Sequence, residues 1–246
     1  MVTVTVRRTN LVVPGFGVVA INDQELHGPD LFQLRGDDGY HVALATEFLR
    51  FVTGRVVAGG VVGDGFSDTD SADSDEGGRG LQPTGGQAAG GEVLLNGARL
   101  DRPRRRALMA YSGDEAVLRH QLTVEENLMA ARAQSVPSDG DAALGVGWAV
   151  DDDEMTPGDF LWDVFGLDRL AERPAFRLSR GEHRKVVLAL SLMRHVPVLV
   201  LDRPGEALDW RSQGALFEAL TEISHYHLVV LSTDVDVVGA RPIRLR

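Results

Sequence analysis

The chain has one lysine, Lys185, although lysine and arginine together number 25, and it has no cysteine. Without cysteine there are no disulfides, thiolate metal sites or thiol nucleophiles, a composition that suits a reducing compartment. Long apolar runs are also missing. No window approaches the roughly 18 uninterrupted apolar residues that a membrane-spanning helix needs. The opening segment, MVTVTVRR, alternates like a strand rather than a signal segment. A cytoplasmic chain that reaches a membrane only through partner subunits is therefore expected. The scarcity of lysine also bears on chemistry. A strand–glycine loop–helix that grips a nucleotide puts a lysine ammonium on the terminal phosphates, and Lys185 lies in the wrong half of the chain for that.

What is present is acidic. The formal net charge is −11, and with 43% hydrophobic residues the 246-residue chain can bury one large core or two smaller lobes. That charge argues against nucleic acid, whose phosphates need a basic face. Asp68, Asp70, Asp73, Asp75 and Glu76 form one acidic run, and Asp151, Asp152, Asp153 and Glu154 another. Neither touches an apolar pattern, so both read as solvated insertions. The glycine-, serine- and aspartate-rich stretch 58–91 has too little apolar surface to offset the entropy of ordering and is expected to be flexible.

Alternating β-branched residues predict strands over Met1–Val13 and Gly17–Ile21, joined at Pro14-Gly15, then a short strand over Leu31–Leu34. A helix is expected over Ala43–Val52, ending at Gly54. Strands follow at Glu92–Leu95 and near Ala107–Tyr111, and Thr123 with Glu126 can form a capping box. A loose stretch from Gln134 to Gly158 precedes a helix over Phe160–Phe165. Ser179 caps an amphipathic helix reaching about His195. The continuous apolar runs Val198–Leu201 and Leu228–Leu231 predict strands buried on both faces, with a helix between them to about Ser224. A terminal strand is expected over Pro242–Leu245. Strands alternating with helices give an α/β fold.

The most specific feature is Leu178-Ser-Arg-Gly-Glu182, followed by Val198-Leu-Val-Leu-Asp-Arg-Pro-Gly-Glu-Ala-Leu-Asp209. With Leu122-Thr-Val-Glu-Glu-Asn-Leu128, Gly91-Glu-Val-Leu-Leu-Asn-Gly97 and Leu231-Ser-Thr233, this ordered set resembles the ATP-binding subunits of ABC transporters. The resemblance implies a P-loop NTPase-like cassette with a mixed core sheet, a small antiparallel β part and a helical subdomain over 123–177, all in one nucleotide-binding domain spanning 1–246. It also implies a head-to-tail pair, formed with an intact cassette subunit or with a second copy, beneath transmembrane permease subunits.

Position by position, the resemblance implies losses. Relatives read Gly-x-x-Gly-x-Gly-Lys-Ser-Thr in the first loop, and this chain reads Gly36-Asp-Asp-Gly39-Tyr-His-Val-Ala-Leu44. Aligned on the glycines, Val42 replaces the lysine and Ala43 the serine. Aligned on the following helix, Ala45 and Thr46 take those places, which keeps a hydroxyl for magnesium. Neither alignment keeps a cation. Asp202 matches the Walker B aspartate, but Arg203 stands where relatives place the glutamate that polarises water, and a guanidinium cannot accept a proton. Asp234 replaces the switch histidine, and Asp114 stands near the expected glutamine. The cofactor-binding candidates are therefore Gly36, Gly39, Thr46 and Asp202 in a degenerate site, with no catalytic residue in cis and no metal site.

Ser179 and Gly181 remain as a signature turn for Mg-ATP held by a partner, with Ser179 equally readable as a plain helix cap. Arg203 is expected to pair with Asp202 or Asp234. Phe16 is either an adenine-stacking aromatic or a core residue. His225 and His227 have no third ligand nearby for a metal and read as surface residues, and His183 and His195, on the helix after Ser179, have no metal spacing together. The leading expectation is a pseudo-ATPase subunit. The alternatives are a scaffold that does not touch nucleotide and an atypical ATPase using Thr46, Asp202 and Glu206.

Overall fold

The computed structural model describes residues 1–35, 38–57, 60–61, 90–113, 118–133 and 155–245. Both acidic runs, most of the stretch 58–91, and Asp114 therefore lie outside the described residues. Within that stretch, Gly60–Val61 and Gly90–Gly91 belong to strands.

Two five-stranded sheets organise the chain. The antiparallel one is built on β1 (Val2–Val13), whose C-terminal half pairs with β2 (Gly17–Ile21) and whose N-terminal half pairs with β3 (Gln24–Gly28). Its other edge takes β7 (Gly90–Leu95), which turns at Asn96-Gly97 into β8 (Ala98–Arg99). β3 was not expected: its Gln-Glu-Leu-His-Gly run is only weakly apolar, and pairing with β1 is what makes it a strand. A short hairpin, β5 (Val56–Val57) with β6 (Gly60–Val61), precedes β7 in the chain.

The central sheet is parallel throughout. It runs β12 (Arg241–Ile243), β4 (Asp30–Arg35), β11 (Leu228–Thr233), β10 (Val198–Asp202) and β9 (Met109–Ser112). β10 and β11 are buried at every position, as their unbroken apolar runs require. Their side chains alternate between two cores. Leu199, Leu201, Val229 and Leu231 face α4 (Pro157–Phe165), α5 (Arg180–Ser191) and α6 (Trp210–Ile223). Val198, Val200, Leu228 and Val230 face α1 (Gly39–Val52) and the antiparallel sheet.

The remaining helices are α2 (Arg102–Leu108), unexpected in an arginine-rich segment, and α3 (Val124–Ala133), capped by Thr123 and Glu126 as the sequence suggested. α4 starts earlier than expected because Thr156 and Asp159 form a capping box there. Gly158 lets α4 lie directly on α5, since a Cβ would come within 2.6 Å of the Met193 nitrogen. α5 ends at Ser191, one turn short of His195. No described helix is long and apolar enough to cross a membrane.

α6 opens on Asp209, which accepts from the Ser212 N–H at 3.0 Å and the Ser212 hydroxyl at 2.8 Å. These bonds, with Lys185 nearby, push its carboxyl down to about 2. A depressed folded-state pKa means stabilisation that is full above the ordinary value of 3.8 and is lost as pH falls toward about 2. Asp209→Ala is therefore expected to lower the melting temperature by a constant amount at neutral pH. In thermal scans by circular dichroism, that deficit should shrink below about pH 4.

Candidate functional site

The C-terminal ends of β10 and β11, the start of α1 and one face of α6 enclose a cleft of about 480 Å³. This is where open parallel sheets place their ligands. Asp202 ends β10 and is 3% exposed. Its Oδ1 accepts the Ser232 hydroxyl at 2.6 Å and the Thr46 hydroxyl at 3.2 Å, so the buried carboxylate has partners. Ser232 also accepts the Arg203 N–H at 2.9 Å, which ties the turn after β10 to the end of β11. Of the two positions aligned with the hydroxyl in the sequence, Ala43 and Thr46, it is Thr46 that contacts Asp202.

The start of α1 differs from expectation. The helix begins at Gly39, not Ala43, with only residues 36–38 between it and β4. About two helical turns therefore precede Thr46. Asp38 is the N-cap: its Oδ1 accepts the His41 N–H at 2.8 Å, and its carbonyl accepts the Val42 N–H at 3.0 Å. The bond from the His41 backbone is the main reason the Asp38 carboxyl lies below its ordinary range. Asp38 was not singled out in the sequence, where it reads as one of two aspartates between glycines. The cue was an aspartate just ahead of a helical pattern, where its carboxylate can accept a first-turn N–H. Gly39 is the first helical residue, and Gly36 lies outside the described residues.

Asp38, Val42, Ala45, Arg203, Glu206 and Asp234 line the cleft. Arg203 has a left-handed backbone (φ 45°) and pairs with Glu206 at 2.9 Å. Among the described residues this replaces the expected pairing with Asp202 or Asp234, because the left-handed turn carries the side chain toward the residue three positions on. Phe16 is 54% exposed, so it is not a core residue, and it meets Tyr40 edge-on at a centroid distance of 5.0 Å.

Ser179 is the N-cap of α5 in a reciprocal box with Glu182: the Ser179 N–H donates to Glu182 at 2.9 Å and the Glu182 N–H to the Ser179 hydroxyl at 3.3 Å. Those bonds hold Glu182 below its ordinary range. Ser179 is also exposed, so its cap role leaves the hydroxyl proton available to a partner. Arg184 on α5, missed in the sequence, is 8% exposed and donates to the carbonyls of Asp202 at 3.1 Å and Arg203 at 2.8 Å. It fixes the signature helix to the end of β10. His183 stacks on His120 at 6.3 Å, and burial, then His120 and Arg184, lower its pKa. His225 lies beside Glu222, and His227 contacts the Val196 carbonyl.

Comparison with known proteins agrees with this geometry. Residues 81–206 match the family described as ABC transporter. That span holds the signature turn and Asp202 but not residues 36–46. A zinc import ATP-binding protein of Halorhodospira halophila is 38% identical over 78 residues, covering 30% of this chain and 30% of that protein. A cytochrome c biogenesis ATP-binding export protein of Pseudomonas fluorescens is 33% identical over 159 residues, covering 62% of this chain and 64% of that protein. The chain therefore spans less than two thirds of either relative. Among solved structures, a putative ABC transporter ATP-binding protein from Pyrococcus furiosus has a TM-score of 0.62 at 18% identity, covering 98% of this chain and 96% of that one. The dimeric structure of MJ0796, a bacterial ABC transporter cassette, has a TM-score of 0.64 at 15% identity, covering 97% of this chain and 90% of that one. With the signature turn, the buried Asp202 and the parallel sheet in their expected order, the chain belongs to the ABC transporter family as an ATP-binding cassette.

Proposed function

We propose that the chain is a pseudo-ATPase subunit of an ABC transporter complex, one whose own cleft does not hold Mg-ATP in a reactive geometry. The observation that carries this reading is the early start of α1. A phosphate-binding loop cradles phosphates with free backbone N–H groups at a helix N-terminus. In this chain the N–H groups from Val42 up to Thr46 are spent on helix bonds, and the first turn, where N–H groups lack helix acceptors, is capped by the Asp38 carboxylate, which takes the His41 N–H. A triphosphate would meet negative charge at the place where a cradle is needed.

The rest of the cleft does not fit the nucleotide either. Three carboxylates, Asp38, Glu206 and Asp234, face it against one guanidinium, Arg203, which is paired with Glu206. Val42 and Ala45, the two candidate lysine positions, are both apolar lining residues. Thr46 and Asp202 are the remnant of a magnesium site, held to each other and to Ser232.

In this reading the chain acts as half of a pair beneath transmembrane permease subunits, on the cytoplasmic side. The other half is an intact cassette or a second copy. Ser179 and Gly181 stand on an exposed turn that can complete a site in an intact partner. Nucleotide titration of the isolated chain tests the proposal. The expected result is no saturable Mg-ATP binding below about 1 mM. Tight binding abolished by Asp202→Asn would overturn it in favour of an atypical ATPase.

A further inference from the structure

We propose that the arginines of α2, gathered around the Gly54 carbonyl, form a binding site for a phosphoryl-bearing anion, separate from the cleft. The cleft lies at the start of α1 and this cluster past its end, and α1 is about 20 Å long. The proposal therefore stands whatever the cleft holds.

α2 carries four arginines, Arg102, Arg104, Arg105 and Arg106, in a chain whose net charge is −11. Arg102 and Arg106 are four positions apart, so one face of the helix presents both. Each donates its Nε–H to the same acceptor, the Gly54 carbonyl oxygen, at 3.3 Å. Two guanidiniums are thereby held side by side. Their Nη groups make no hydrogen bond or ion pair among the described residues, and Arg106 is exposed while Arg102 is half-buried.

Arg105 adds a third charge from behind the surface. It is 9% exposed, donates to the Phe51 carbonyl at 2.6 Å and lies over the Phe51 ring. Its buried Nε has no partner among the described residues, an uncommon state for a donor. Burial, and then the charge of Arg102, push its guanidinium below the ordinary range, against an opposing pull from Asp101. The backbone fixes the shared acceptor. Gly54 has φ 75°, and a Cβ there would come within 3.1 Å of the Arg102 carbonyl oxygen, so the turn after α1 lies directly against α2.

Capping of α1 accounts for part of the cluster, because carbonyls at a helix C-terminus attract cations. It does not account for all of it. A helix end is equivalent to about half a negative charge. Asp101, whose Oδ1 accepts the Arg104 N–H at 3.0 Å, adds one more. Against four guanidiniums, about two positive charges are left over. No ion pair joins any of the four to a carboxylate among the described residues. A phosphoryl group carries about −1.5 to −2 at neutral pH, and its oxygens match the guanidinium fork. A single carboxylate would supply only about half that charge.

Calorimetric titration of the full chain with inorganic pyrophosphate, without magnesium and at about 0.05 M salt, tests the site. One saturable site per chain is expected, weakening toward about 1 M salt, where screening acts within about 3 Å. Arg102→Gln and Arg106→Gln each keep a donor for the Gly54 carbonyl while removing the charge. Each should weaken binding by about tenfold or more. Arg177→Gln, exposed and outside the cluster, should leave binding unchanged. Pyrophosphate should also raise the melting temperature of the parent chain and not that of R102Q/R106Q, with circular dichroism confirming that both are folded. Mg-ATP, its phosphates already partly neutralised by the metal, should not compete below about 1 mM.

Cosedimentation with phosphatidylcholine vesicles, with and without phosphatidic acid, identifies the source. Capture by the anionic vesicles that R102Q/R106Q loses would assign the phosphoryl group to a lipid headgroup, and no capture would assign it to a soluble anion. A parent chain without saturable pyrophosphate binding would overturn the proposal, as would binding that R102Q/R106Q retains. Retained binding that Asp202→Asn abolishes would place the anion in the cleft and overturn the function proposed above as well.

Discussion

The isolated chain carrying Arg203→Glu, with the family's glutamate restored, will turn over Mg-ATP no faster than a protein-free blank. In a competent cassette, returning a missing general base is worth about 10²–10⁴ in rate, because that group is the single defect. On the proposed pseudo-ATPase reading it is one of several. Asp38 still caps α1, Val42 and Ala45 still stand where an ammonium is needed, and Asp234 still faces the cleft. Each lost preorganised donor costs about 10²–10³, and such losses combine non-additively because the groups act as one unit. The substitution also removes the only guanidinium among the described lining residues and sets a new carboxylate beside Glu206. Coupled-enzyme and single-turnover assays check this, the second because it detects even one slow event per site. Turnover above blank in the variant would show that the phosphate site is intact and that Arg203 alone disables it.

The order of elements and the family were legible because they rest on long patterns. Continuous apolar runs at Val198–Leu201 and Leu228–Leu231 match the pattern of central parallel strands, and Ser179 with Glu182 is a capping box readable from spacing alone. Three features were less legible. β3 is a strand only because β1 supplies its hydrogen-bond partners, and composition does not encode that pairing. α2 begins on Asp101 and Arg102-Pro103, a clear capping signal obscured by four arginines in a short segment. The start of α1 turned on whether Asp38 would cap a helix or leave an open loop, a competition between local bonds that the glycine pattern around it concealed. The site partners were hidden for a further reason. Ser232, Thr46 and Asp202 come together from three separated elements, and only the register of β10 against β11 places Asp202 opposite Ser232.

Phe48→Ala is expected to be the most destabilising single substitution considered, costing about 3–5 kcal/mol, as cavity-forming aromatic truncations do. Phe48 is 0% exposed, on the face of α1 that meets the core shared by the central and antiparallel sheets. Leu44, Leu49 and Val52 surround it on the same helix, and Val198, Val200 and Val230 reach that core from β10 and β11. A domain whose stability is about 5–15 kcal/mol loses a large share of it with one such residue. Urea unfolding followed by circular dichroism measures the change, and the slope should stay constant if only stability falls. Phe176→Ala is the control: its ring is 62% exposed beside Arg177, and its removal should cost within about 0.5 kcal/mol. The comparison bears on function as well as on folding. If no nucleotide bridges α1 to the end of β10, the position of Thr46 over Asp202 depends on the packing of α1 alone. A small effect at Phe48 would mean that α1 is only loosely seated, and that its early turns do not close the phosphate site.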